Sequence, residues 1–234
     1  MQVKDRMTPD PVSVADEASF EEALHLLREK KIRRLPVVSK DGHLVGIVVE
    51  KDLLSASPSR ATSLSVFEMH YLLLKLKVRD VMTKRVFTVG DDCPLEEAAR
   101  IMVDQKIGCL LITREGRLTG IITETDIFKT FVEILGGRQS VLRLTLDVTE
   151  GKGVLAAITG EIVRNGGNVL TLATFFCKDA GERIITVKVT GAAKEPLLEG
   201  LKATGVRVLN VIDMTNGGYA PLVVDGKTRP FVKA

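Results

Sequence analysis

Apolar positions recur at helical spacing twice in the first half of the chain, and each time two short aliphatic runs follow. Phe20, Ala23, Leu24 and Leu27 form one apolar helix face, and Leu95, Ala98, Ala99 and Met102 form the other. Ser19 and Glu22 supply an S-x-x-E capping box for the first helix, which closes near Lys30 and Lys31, cations suited to a helix C-terminus. In the second, Pro94 stands where Ser19 stood, as tolerated at the first helical position. The runs at 35–38 and 110–113 read as strands. Gly turns at Asp41-Gly42 and Glu115-Gly116 lead from them into strands at 44–49 and 118–123. A further helix is expected to start near Glu50 and near Glu124, so the unit is strand, helix, hairpin, helix.

The two halves are copies of a pattern of about 50 residues. One runs from Val3-Lys4-Asp5-Arg6-Met7-Thr8 to Gly46-Ile47-Val48-Val49-Glu50-Lys51-Asp52. The other runs from Val78-Arg79-Asp80-Val81-Met82-Thr83 to Gly120-Ile121-Ile122-Thr123-Glu124-Thr125-Asp126. Such a unit buries its apolar face against its twin, and the seam between twins is a pseudo-symmetric crevice suited to a ligand. Between the copies the Ser-rich stretch at 55–63 is turn-prone. It leads to a helical face of Phe67, Tyr71 and Leu74, read as packing between the copies or as a partner-docking helix.

From Val141 the pattern changes to strict alternation over 141–148, a strand, followed by a Gly-rich turn at 150–153 and a helix over 154–164. Asn165-Gly166-Gly167-Asn168 stops that helix. Strands at 169–177 and 183–189, a helix at 193–203 and a strand at 206–212 complete a βαββαβ order, the ferredoxin-like arrangement. The expected division is 1–56 and 78–135 for the copies, 57–77 for a linker helix, 140–213 for the third domain and 214–234 for a tail.

Composition narrows the function. Formal charge is only +3 over 234 residues, with acids and bases interleaved, no Trp and two Tyr. That lacks the concentrated basic excess and stacking aromatics of a nucleic-acid binder. The apolar runs are too short to span a bilayer. The three cysteines, Cys93, Cys109 and Cys177, show neither CxxC nor Cys/His ligand spacing, and no secretory signal precedes them, which points to a reducing cytoplasm and no metal site. His25, His43 and His70 have no nucleophile or carboxylate at a motif spacing, so no catalytic pair is expected. Gly226-Lys227-Thr228 lacks the earlier Gly and the strand of a P-loop, and Gly136-Gly137 and Gly217-Gly218 read as linker turns.

Thr123 and Asp126 carry the candidate chemistry. They sit three residues apart where a strand ends and a helix begins, so both can face one pocket. A carboxylate there can accept both hydroxyls of a ribose, while the Thr hydroxyl and helix N–H groups can hold a phosphate. The bland alternative for Asp126 is an acid complementing a helix N-terminus. Arg33 and Arg34 likewise read either as solvated charge or as a cation turned toward a ligand phosphate.

The two copies resemble a tandem pair of CBS domains, whose G-h-h-[ST]-x-x-D motif is complete at 120–126 and lacks its hydroxyl at Val49 in 46–52. The resemblance implies AMP, ADP, ATP or S-adenosylmethionine as a regulatory ligand, with no obligatory cofactor. Asp126 and Asp52 would contact ribose, and Thr123 phosphate or ribose. Adenine would lie against Pro11, Val12, Arg34 and Pro36 in the first copy, and Val86, Thr88, Cys109 and Leu110 in the second. One strong site is expected in the second copy and a weak or empty one in the first. The C-terminal third resembles an ACT domain, with Lys152 where that family's turn has Pro. A ligand there would meet Gly153, Val154 and Leu155 of one chain and Asn168 and Val169 of a neighbour. The order of domains resembles bacterial acetoin-utilisation AcuB-type proteins. Together these imply a non-catalytic, homodimeric regulator of a metabolic enzyme or transporter. The alternatives are an oligomerisation scaffold, an amino-acid sensor, or an enzyme acting on the bound nucleotide.

Overall fold

The structure, a computed structural model, describes residues 1–56, 75–137, 141–148, 152–176 and 183–214. Residues 57–74 of the expected linker segment, His70 among them, residues 138–140, 149–151 and 177–182, Cys177 among them, and residues 215–234 lie outside the described residues. The chain divides into two compact units, Met1–Thr130 and Phe131–Ala234.

In the first unit, strands β1 (Thr8–Pro9) and β2 (Val14–Ala15) precede helix α1 (Phe20–Glu29), and β3 (Arg34–Val38) and β4 (Leu44–Val49) form the hairpin before α2 (Glu50–Ala56). The second copy repeats this with α3 (Val78–Val81), β5 (Thr88–Val89), α4 (Leu95–Gln105), β6 (Cys109–Arg114), β7 (Arg117–Thr123) and α5 (Glu124–Ile134). Ser19 Oγ accepts the Glu22 N–H at 3.1 Å, one half of the expected capping box. Pro94 is the N-cap of α4 rather than its first helical residue, with extended ψ of 139°. The Pro ring fixes only φ, so the extended N-cap geometry costs it nothing. Both hairpins shift register at the same place, between Val37 and Val38 and between Ile112 and Thr113.

The sequence copy and the packing unit are offset. The chain start packs on the second copy: Val3 N–H donates to Cys93 O and Lys4 N–H to Asp91 O, each at 2.9 Å. Strand β1 then pairs with β7, setting Thr8 opposite Ile121 and Pro9 opposite Gly120. Reciprocally, Val78 N–H donates to Ala18 O at 3.0 Å, and Thr83 exchanges two backbone bonds with Ile47. Val3 is buried in the core of the second copy, with Leu110, Ile112 and Ile122. Val78 is buried in that of the first, with Phe20, Leu27 and Leu35. Each copy therefore lends its first turn to its twin, and neither core closes alone.

In the second unit, β8 (Leu142–Val148), α6 (Val154–Arg164), β9 (Asn168–Phe176), β10 (Arg183–Thr190), α7 (Lys194–Ala203) and β11 (Arg207–Asp213) form a βαββαβ unit. The antiparallel sheet has the order β11-β8-β10-β9, the ferredoxin-like split βαβ. Strand β8 alternates buried and half-buried residues along its length, and Leu144, Leu146, Ile185 and Val187 pack with Ile158, Ile162, Leu197 and Leu201 of the helices. On the other sheet face Lys188 is 7% exposed, and its Nζ donates to Gly136 O at 3.1 Å. Burial, with Arg143 nearby, lowers its pKa. The unfolded chain then binds more protons between that lowered value and the ordinary lysine range, so stability rises with pH across this window. Urea unfolding at neutral and alkaline pH is expected to show this gain, and Lys188→Met to abolish it. An equal pH response in the two proteins would contradict the assignment.

Candidate functional site

Strand β7 ends at Thr123 and helix α5 starts at Glu124, so Thr123 is the residue before the first turn and Asp126 lies within it. Asp126 Oδ2 accepts the Thr123 N–H at 3.0 Å and the Thr123 hydroxyl at 2.7 Å. This is the reciprocal arm of a capping box, and it fixes the carboxylate at the strand–helix junction. Among the described residues Oδ1 accepts no protein hydrogen bond, which leaves it available to a ligand.

A cleft of about 390 Å³ opens at this junction. Thr123, Asp126 and Lys129 line one side, Pro11 and Val12 a second, and Lys31, Arg33 and Arg34 a third. Two features of the chain path bring the first copy here. After β1 the backbone turns at Asp10, which takes a left-handed φ of +43° that Asp tolerates, and so passes Pro11 and Val12 over the end of β7. Gly120 gives β1 room, since a Cβ on it would lie 2.5 Å from Met7 Sδ. Gly46 relates in the same way to Met82, at 2.6 Å. The glycine of each G-h-h-x-x-x-D segment is thus a place where the exchanged segment of the other copy comes close.

A second cleft, of about 260 Å³, lies at the corresponding junction of the first copy, lined by Ile47, Val49, Thr83, Arg85, Val86 and Cys109 among others. Here, among the described residues, Asp52 Oδ2 accepts only the Val49 N–H, at 3.3 Å. Val49 has no hydroxyl to shorten and reinforce that bond, so the two junctions differ by one charge-assisted hydrogen bond. Arg34 lines both clefts. It pairs with Glu124 at 3.7 Å, and the pair lies where a side chain on Gly108 would stand.

The structure brings Thr123, Asp126, Pro11, Val12 and Arg34 together, although Pro11, Val12 and Arg34 had been grouped with the first copy's own motif. Val86 and Cys109 line the cleft at Val49 and not the cleft at Thr123, although Cys109 pairs with Thr123 across β6 and β7. The cause of both changes is the exchange of chain starts, which no spacing within one copy reveals. Pro36 and Leu110 are buried in their strands, and Thr88 is exposed in β5; none lines either cleft. Thr8, Lys31 and Lys129 line the larger cleft without having been singled out, Lys31 because it follows α1 in a left-handed turn at φ +53°.

Burial raises the pKa of the Cys109 thiol and Glu124 adds to it, while Arg34 pulls the other way. Alkylation by iodoacetamide, followed at this residue by peptide mass spectrometry, should therefore be slow near neutral pH and climb only above the ordinary thiol range. Arg34→Gln should slow it further. Rapid neutral-pH alkylation would contradict this environment.

In the second unit Gly153 is the N-cap of α6 with φ +88°, and Val154 and Leu155 open that helix. Asn168 and Val169 open β9, paired with Thr190 and Val189. The two groups flank opposite ends of an 11-residue helix, about 16 Å apart along its axis. They are not one site within a single chain. Among the described residues no three His, Cys, Asp or Glu gather as metal ligands, and no helix is long and apolar enough to cross a membrane.

Two interlocked copies of one strand–helix–hairpin–helix unit, with a cleft at each strand–helix junction, define a tandem-repeat module. Its family is CBS: the CBS domain model matches residues 3–59 and 78–133, and the chain belongs to the CBS-domain family. It is 32% identical over 155 residues to an uncharacterized protein of Methanocaldococcus jannaschii, covering 56% of this chain and 92% of that one. It is 31% identical over 134 residues to a CBS domain-containing protein of Dictyostelium discoideum, covering 57% and 92%. A crystal structure from Vibrio cholerae, of a protein assigned to acetoin utilization (AcuB), shares 31% identity over 58% of this chain and 93% of its own, with a TM-score of 0.49.

Proposed function

We propose that this protein is a cytoplasmic, non-catalytic regulator that senses an adenosine-containing nucleotide in the cleft at Asp126 and relays its occupancy to a metabolic enzyme or transporter. The observation that carries the reading is the fixed carboxylate of Asp126, with one oxygen open, set beside a hydroxyl and among cations from the other copy. A diol fits the first and a phosphate the second. The first cleft, with Val49 for Thr123, is the weaker site. Occupancy would act on the packing of the two copies, because the cleft walls come from both, and it shifts their arrangement only by differential affinity.

The domain division at 1–56, 78–135 and 140–213 belongs to this proposal. So does reading the βαββαβ unit as an ACT domain, in which Gly153, Val154 and Leu155 of one chain meet Asn168 and Val169 of another around an amino acid. The AcuB-type assignment rests on the order of CBS pair and βαββαβ unit.

Thermal unfolding against AMP, ADP, ATP and S-adenosylmethionine tests the central part. A ligand at about 100-fold its dissociation constant adds roughly 2.7 kcal/mol, several degrees for a chain of this size. No shift with any of the four would refute nucleotide sensing.

An oligomerisation role is the second reading, favoured by an apolar groove of about 410 Å³ between α4 and α5. Val103 and Phe128 on its walls are 75% and 65% exposed, so two large apolar side chains stand open to solvent at one groove. Sedimentation should give a homodimer that Val103→Lys with Phe128→Lys dissociates. A monomeric wild type would refute this reading.

A further inference from the structure

Charge is distributed unevenly between the two clefts. Around the cleft at Asp126 stand four cationic side chains, Lys31, Arg33, Arg34 and Lys129, against one carboxylate. The cleft of the first copy is lined by two, Arg34 and Arg85. Of the four, Arg34 has Glu124 as a described ion-pair partner, at 3.7 Å. Lys31, Arg33 and Lys129 have none among the described residues, and all three are exposed at the rim. Their positions follow from the backbone: Lys31 leaves α1 in a left-handed turn, Arg33 precedes β3, and Lys129 lies one helical turn beyond Asp126. Folding thus gathers three like charges at one opening, where among the described residues they make no ion pair and Asp126 is the one carboxylate lining the cleft. Such a cleft focuses positive potential and favours a polyanion.

The geometry also orders the ligand. If Asp126 takes the ribose hydroxyls, its charge repels any phosphate placed beside it. The phosphate chain must therefore lead away from Asp126 towards the rim. One phosphate carries a charge of about −2 near neutral pH and a diphosphate about −3, so the diphosphate better matches the three cations at the rim. A sulfonium group would enter the same field with the wrong sign.

We infer that the ligand of this cleft is a nucleoside di- or triphosphate, and that positively charged nucleosides such as S-adenosylmethionine are excluded from it. This rests on the reading that the cleft holds an adenosine ligand. Isothermal titration of the full chain with adenosine, AMP, ADP, ATP and S-adenosylmethionine, at low and high salt, tests it. Affinity should rise roughly tenfold for each phosphate up to ADP, with S-adenosylmethionine below adenosine. High salt should weaken ADP strongly and adenosine little. Lys31→Glu with Lys129→Glu should lower ADP affinity at least tenfold and adenosine affinity far less. Adenosine or S-adenosylmethionine binding as tightly as ADP would overturn the inference while nucleotide sensing stands. Binding of none of the five would overturn both.

Discussion

Replacing Gly120 with Val is expected to destabilise the first unit by about 1–3 kcal/mol, the range for overpacking a filled interior, and to weaken nucleotide binding. Gly120 is buried in β7 opposite Pro9 of β1. A Cβ there meets Met7 Sδ at 2.5 Å, Met7 Cγ at 3.3 Å and Ile112 Cβ at 3.4 Å. Val suits a strand, so the penalty comes from the exchanged segment and not from the strand itself. Relief requires the Met7 side chain to turn aside, and any part of that strain passed on to β1 reaches Asp10 and the Pro11-Val12 wall of the cleft. Met7→Ala in the same chain should restore part of the stability, a coupling that urea unfolding of the double-mutant cycle would measure. Additive losses would show that the exchanged segment is not what Gly120 accommodates.

Asp126 gives the second large effect. Asp126→Ala removes the bonds to the Thr123 N–H and hydroxyl as well as the proposed ribose contact, so it is expected to cost about 1 kcal/mol of helix capping in addition to binding. Asp126→Asn separates the two. Its side-chain oxygen still accepts from Thr123, so stability should stay near wild type, while the loss of charge weakens the diol bonds and lowers nucleotide affinity roughly 10- to 100-fold. Asp52→Asn should change affinity far less, since Val49 supplies no hydroxyl to that junction. Equal losses in the two variants would place the ligand in both clefts or in neither.

Much of the fold is legible in the sequence, because each element announces itself locally. The apolar faces of α1 and α4, the Gly turns of both hairpins and the strict alternation of β8 all reflect residues within one turn or one strand of each other. The site is legible only in part. Thr123 and Asp126 lie three residues apart, so their meeting is a local event that the motif encodes. Pro11 reaches the same cleft because the chain start crosses to β7, an arrangement fixed by burial of Val3 among Leu110, Ile112 and Ile122, while Lys31 and Arg33 reach it from the segment between α1 and β3. Val3 and Val78 open both copies identically, so the pattern alone cannot say which core each one enters. The charge imbalance at the cleft was hidden for the same reason: Lys31 and Lys129 are far apart in sequence, and each alone reads as a solvated surface lysine.

The most direct measurement is a crystal structure of the full chain grown with saturating ADP. Nucleotide density is expected in the larger cleft, with the ribose hydroxyls on Asp126 and the phosphates against Lys31, Arg33 and Lys129. Nucleotide bound elsewhere, or that cleft empty at saturation, would contradict it.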